Sequence, residues 1–198
     1  IDEIKPWEGY WIHASRDLEI KFRPHVPDSM LQRDSRGEIW ALNIFTRALT
    51  NGSANDYVSI GFSDSASVGF RYGEDEYDHP NPAMDSFIDL YFDKSEWLGT
   101  SDSRGIVVES PYFGNDVRSL EGDVYAWDVK ADLYNVTGDI ELNWTMDDIE
   151  SDAHILIAGE AYDMRESTSI TVSSLNDMTV VIGDLEAYLA PSEFALSS

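Results

Sequence analysis

Ile140-Glu141-Leu142-Asn143-Trp144-Thr145 alternates apolar and polar side chains without a break. That period of two places Ile140, Leu142 and Trp144 on one face and Glu141, Asn143 and Thr145 on the other, as a half-buried β-strand requires. The pattern recurs on both sides of this stretch. Upstream, Trp40, Leu42 and Ile44 mark one strand, Tyr57–Phe62 another, and Ile88, Leu90 and Phe92 alternate with Asp89, Tyr91 and Asp93. Ile106–Glu109 reads as a short strand, and Tyr125, Trp127 and Val129 alternate with polar partners. Downstream, His154–Ala158, Ser169–Ser173 and Thr179–Ile182 complete the set.

Turn signals such as Asn51-Gly52, Gly114-Asn115, Gly122-Asp123, Gly138-Asp139 and Asn176-Asp177 fall between these runs. No window carries a helical period. Many short strands with regular turn punctuation predict an all-β fold, an antiparallel β-sandwich of Ig-like or jelly-roll type over residues 37–188. Trp40, Trp127 and Trp144 lie inside alternating runs and belong in its core.

The ends have a different character. Residues 1–24 read as an N-terminal β-hairpin appendage: Tyr10–Ala14, a polar break, then Leu18, Ile20 and Phe22 alternating with Glu19, Lys21 and Arg23. A hairpin on its own is marginal in water, so its apolar side needs a partner: it folds back on its own sandwich, the favoured reading, or completes the sheet of a neighbouring copy. It is expected to be a remnant of a preceding module or an assembly strand, with Trp7, Tyr10, Trp11, Ile12, Leu18, Ile20 and Phe22 as the interface residues. Residues 25–36 form a linker and 189–198 a tail. The absence of an initiator Met suggests a chain cut from a longer one.

Composition narrows the function. The 198 residues carry 38 acidic and 13 basic side chains, a net charge of −25. Phosphate binding needs clustered Lys and Arg, so nucleic acid is excluded as a partner and an anionic membrane is disfavoured. No run of apolar residues is long enough to span a bilayer, so no membrane insertion is expected. Acidity of this size suits solubility outside the cell in a salty or cation-rich medium. With no Cys, neither a disulfide framework nor a thiolate metal site is available.

Catalytic signals are sparse. The histidines His13, His25, His79 and His154 are isolated, and no zinc-protease, nucleophile-elbow or phosphate-loop motif occurs. Accidental carboxylate pairs are certain among so many acids, so spacing cannot identify a glycosidase. No catalytic residue is assigned and the chain is expected not to be an enzyme. The acidic loop supplies the metal candidates: Asp75, Glu76 and Asp78, with Asp85 beyond it. Clustered carboxylates in a turn can supply the oxygens Ca²⁺ takes, although a solvated loop explains the same residues and no cofactor is required. Asp147, Asp148, Glu150 and Asp152 form a weaker patch. Sequons at Asn51 and Asn135 lie in turns, whereas Asn143 lies within a strand.

Pro6-Trp7-Glu8-Gly9-Tyr10-Trp11-Ile12, followed by a strand ending at Pro24, resembles the close of Ig-like modules in large secreted bacterial proteins. Ile60-Gly61-Phe62, Tyr77-Asp78-His79-Pro80-Asn81-Pro82, Ala126-Trp127-Asp128-Val129 and Tyr162-Asp163-Met164-Arg165 are similar to the β-sandwich that follows such modules. Leu90-Tyr91-Phe92 and Leu142-Asn143-Trp144 belong to the same likeness. The tail Ala190-Pro191-Ser192-Glu193-Phe194-Ala195-Leu196-Ser197 resembles the linker before a type IX secretion sorting domain. The resemblance implies an exported protein, at the bacterial cell surface or extracellular, and no catalytic residues.

The expected function is a non-enzymatic structural or adhesive module. Its partner is a neighbouring module or other copies of itself, the latter building a homo-oligomer or filament by β-strand addition. The alternative is a carbohydrate-binding module in which Trp7, Tyr10 and Trp11 stack on a glycan. Packing of those rings against a neighbour is the simpler explanation.

Overall fold

Alternating side chains become two sheets in the computed structural model, which describes residues 39–50, 56–63, 66–67, 69–78, 85–119, 122–146, 149 and 151–190. The expected hairpin, the linker and the tail beyond Ala190 lie outside the described residues. Along the chain the strands are β1 (Ile39–Ala48), β2 (Tyr57–Phe62), β3 (Phe87–Asp93), β4 (Tyr112–Phe113), β5 (Asn115–Arg118) and β6 (Val124–Tyr134). They continue with β7 (Ile140–Met146), β8 (Ala153–Ile157), β9 (Glu160–Asp163), β10 (Ser169–Val172) and β11 (Met178–Gly183). A single 3₁₀ turn, Ser95–Trp97, follows β3, and a short helix, α1 (Leu185–Leu189), follows β11. Asp184 caps α1, its Oδ1 accepting from the amides of Glu186 and Ala187. No helix among the described residues is long and apolar enough to cross a membrane.

One sheet has five strands in the order β10-β7-β1-β2-β5, the other six in the order β4-β3-β6-β11-β8-β9. All pairings are antiparallel except β2 with β5, which run parallel. β3 of the six-stranded sheet lies against β1, β2 and β5 of the other. The two sheets form an all-β sandwich.

The inward rows make its core. Leu42, Ile44, Val58, Ile60, Ile140, Leu142 and Trp144 face Ile88, Leu90, Phe92, Trp127, Val129, Ile155, Val180 and Ile182, all buried. Burying one such side chain contributes roughly 1.5–3 kcal/mol, and that gain offsets the entropy of ordering the strands. β8 and β9 are joined through Ala158 and Gly159, both with positive φ (50° and 86°), the backbone of a two-residue hairpin turn whose twist matches its strands.

Two expectations change. Ile106–Glu109 is not a strand: only Val107 pairs, in an isolated bridge with Ser101. The loop is closed by backbone bonds between Gly99–Asp102 and Ile106–Val108 and by Asp102, whose Oδ1 accepts from the amides of Arg104 (2.9 Å) and Ile106 (3.0 Å). Gly114-Asn115 is not a simple turn, because Asn115 opens β5.

Trp144 and Trp127 are both buried, but only one indole is satisfied. Trp144 Nε1 donates to the Met164 carbonyl at 2.9 Å, whereas Trp127 Nε1 has no hydrogen-bond partner. Replacing Trp144 by Phe leaves a buried carbonyl orphaned, while replacing Trp127 by Phe removes an orphaned donor. Urea denaturation is expected to show Trp144→Phe less stable than Trp127→Phe by roughly 2 kcal/mol. Equal losses would show that ring volume alone sets the cost.

Candidate functional site

The buried charges lie where β5 meets β3 and the acidic loop. Among the described residues β5 has one strand neighbour, β2, and its other edge is held by side chains. Asp116, on β5 and only 2% exposed, supplies part of that hold. Its carboxylate receives Lys94 Nζ at 2.6 Å and an Arg118 guanidinium nitrogen at 2.9 Å. Lys94 follows directly on β3, and Arg118 also donates to the Ala126 carbonyl of β6 at 2.7 Å. One carboxylate therefore joins an edge strand of the first sheet to two strands of the second. Both cations lie over indoles, Arg118 over Trp127 at 4.5 Å and Lys94 over Trp97 at 4.8 Å, which offsets part of the loss of hydration.

Asp75 is another buried carboxylate, in the loop before β3. One oxygen accepts from the Arg71 amide at 2.9 Å and the other from the Val117 amide at 3.3 Å, tying the loop to β5. Burial pushes its carboxyl up to about 7. The two amides oppose that rise, and the nearby charges of Asp116 and Glu74 add to it. Glu74 is paired with Arg71. Next to Asp75, Glu76 is exposed; its backbone amide donates to Asn115 Oδ1.

Asp78 belongs to a separate group. Its amide donates to the Tyr112 carbonyl at 3.1 Å, and its carboxylate gathers with those of Asp56 and Asp89, one oxygen of each lying within 4.8 Å of the others. Asp56 comes from the residue before β2, Asp89 from β3, and Asp56 Oδ2 also accepts the Leu90 amide at 2.9 Å. Of the metal candidates Asp75, Glu76, Asp78 and Asp85, only Asp78 joins this group. Asp75 is engaged with backbone amides, and Asp85 is exposed, its carbonyl accepting from Asn135 Nδ2 at 2.9 Å. Asp56 and Asp89 were missed because they are remote in sequence from the acidic loop, and only the packing of β2 and β3 brings them to it.

The assembly candidates Trp7, Tyr10, Trp11, Ile12, Leu18, Ile20 and Phe22 lie outside the described residues, as do His13, His25, His79, Asp147, Asp148 and Glu150. Asp152 is exposed. His154 is half-buried on β8, and its Nδ1 has no hydrogen-bond partner. Compared with known proteins, the chain matches no family model, no curated protein and no solved structure.

Two measurements follow from these carboxylates. A carboxyl raised on folding binds its proton more tightly in the native state, so its contribution is complete below about pH 4 and is lost as pH rises through about 7. Between those limits the wild-type protein is expected to lose up to roughly 4 kcal/mol relative to Asp75→Asn, measured by urea denaturation across pH. Parallel pH profiles would remove Asp75 from the titration. At the other group, carboxylate oxygens are the donors Ca²⁺ takes. Millimolar Ca²⁺ is expected to raise the melting temperature of the wild type and not of Asp89→Asn. Identical melting with Ca²⁺ and with chelator would dismiss a cation there.

Proposed function

We propose that this chain is a non-enzymatic structural or adhesive module of an extracellular bacterial protein. One observation carries the reading: the buried carboxylates Asp75 and Asp116 are spent on joining elements of the fold. Asp116 ties the two sheets, and Asp75 ties a loop to an edge strand. Groups used in this way hold a shape. A net charge of −25 supports a place outside the cell, where salt screens self-repulsion.

Assembly is the second part of the proposal. Among the described residues the five-stranded sheet ends on β10, whose Ile170 and Val172 are half-buried against the core. A strand added beside β10, with alternate apolar side chains turned inward, would cover them while its backbone extends the sheet. The segment Leu18–Arg23 has that alternation. Supplied by a second copy, it makes a head-to-tail contact, which builds a filament when the rotation does not close.

Negative-stain imaging and light scattering in low and high salt test this. Salt-promoted oligomers or filaments are expected, and they are expected to disappear when Leu18, Ile20 and Phe22 are replaced by Ser. Monodisperse globules in both conditions would overturn the assembly. Turnover of a substrate lost on replacing a buried carboxylate, with the fold retained, would overturn the non-enzymatic reading.

A further inference from the structure

We propose that the outward face of the five-stranded sheet is a binding surface for a neutral glycan. In so acidic a chain, the outward positions of β1, β2 and β7 carry one acid, Glu141, and it is paired with Arg47 at 3.6 Å. The six-stranded sheet shows the contrast: Asp128 and Asp132 on β6 and Asp93 at the end of β3 are all exposed acids. The five-stranded face is thus electrically balanced in a molecule of net charge −25.

What the face carries instead is aromatic and neutral polar. Phe45 and Tyr57 stand opposite each other across β1 and β2. Their ring centroids are 5.7 Å apart, the planes tilted by 31°, and the residues are 39% and 50% exposed. Next along the strands, Ser59 Oγ donates to Asn43 Oδ1 at 2.6 Å, and Asn43 Nδ2 donates to Thr145 Oγ1 at 3.4 Å. That line of hydroxyl, amide and hydroxyl crosses three strands, with Ser59 buried behind it and Asn43 and Thr145 reaching the surface. Asn143 stands opposite Phe45 on β7.

This combination matches a sugar. A pyranose has a face of C–H groups and a rim of hydroxyls that donate and accept in equal measure. Aromatic faces, with their negative quadrupole, suit polarised C–H groups. Amides and hydroxyls can each donate and accept, as the rim requires. A charged ligand would meet only the Arg47–Glu141 pair, already self-neutralised. Two half-exposed rings beside a polar line offer too small an apolar centre for a protein interface. Because the groups stand on paired strands, little ordering is needed on binding.

The inference deepens the adhesive reading by naming what is bound, and rests on it; strand-exchange assembly does not enter it. The test is retention of the full chain on insoluble cellulose, chitin and xylan, with acidic alginate as comparison. The wild type is expected to be retained on at least one neutral polysaccharide and not on alginate. Phe45→Ala and Tyr57→Ala are each expected to weaken retention at least tenfold, with the melting temperature as a check on folding. Thr145→Arg keeps both rings and adds bulk and charge to the polar line; it is expected to abolish retention.

No retention of the wild type on any neutral polysaccharide would overturn the proposal. So would full retention of the Phe45→Ala/Tyr57→Ala double variant, or a self-associated species that Phe45→Ala dissolves, which would give the face to a second copy. Failure here with salt-promoted filaments present leaves the structural reading standing, whereas turnover of a bound glycan would overturn the non-enzymatic reading and not this one.

Discussion

Two sheets hold each other only through side chains that point inward from both, and everything else here depends on that constraint. Each strand can offer every second residue. The inward rows of β1, β2 and β7 therefore have to meet those of β3, β6, β8 and β11 without a polar residue out of step. A slip of one residue would turn Leu42, Ile44 and their neighbours to solvent and bring Asn43 and Phe45 into the core. Where the apolar rows thin out, at β5, the join is made by charge: Asp116 draws Lys94 onto itself across the gap between the sheets, and Arg118 of the same strand reaches from it to β6. A buried ion cluster of this kind is weak evidence of net stability, but it determines where β5 must lie.

Strands with a buried face and a wet one were legible in the sequence, and β2 begins and ends at Tyr57 and Phe62 as expected. β9 was not, because Glu160–Asp163 has no apolar alternation. Its position follows from the Ala158-Gly159 turn, which lacks the Asn-Gly or Asp-Gly signal that marks such turns. β5 was illegible for a related reason: Asn115 and Asp116 are polar residues buried by tertiary partners, and a polar dipeptide after Gly reads locally as a turn. The carboxylate group at Asp78 was legible in one member. Asp56 and Asp89 carry no local sign of their meeting, which is a property of how β2 and β3 pack.

The distribution of charge is as informative as its amount. An excess of acid is expected to spread over every solvated surface, and the outer side of the six-stranded sheet conforms. The outer side of the five-stranded sheet does not, although its strands come from distant parts of the chain. Neutrality had to be arrived at separately on β1, β2 and β7. Inside the fold, meanwhile, Asp75, Asp102 and Asp116 are held by backbone amides or cations, whereas Asp89 meets the carboxylates of Asp56 and Asp78.

The parallel pairing of β2 with β5 also orders events in time. Parallel neighbours cannot be joined by a tight turn, and the whole stretch between Phe62 and Asn115 intervenes, including β3 and β4, which belong to the opposite sheet. β1 with β2, or β8 with β9, can pair as soon as a short loop closes. The Lys94–Asp116 pair ties β5 in turn to the end of β3, across the sandwich. Such non-local closure is slow. The β5 border is thus expected to close later than the β1–β2 and β8–β9 pairs.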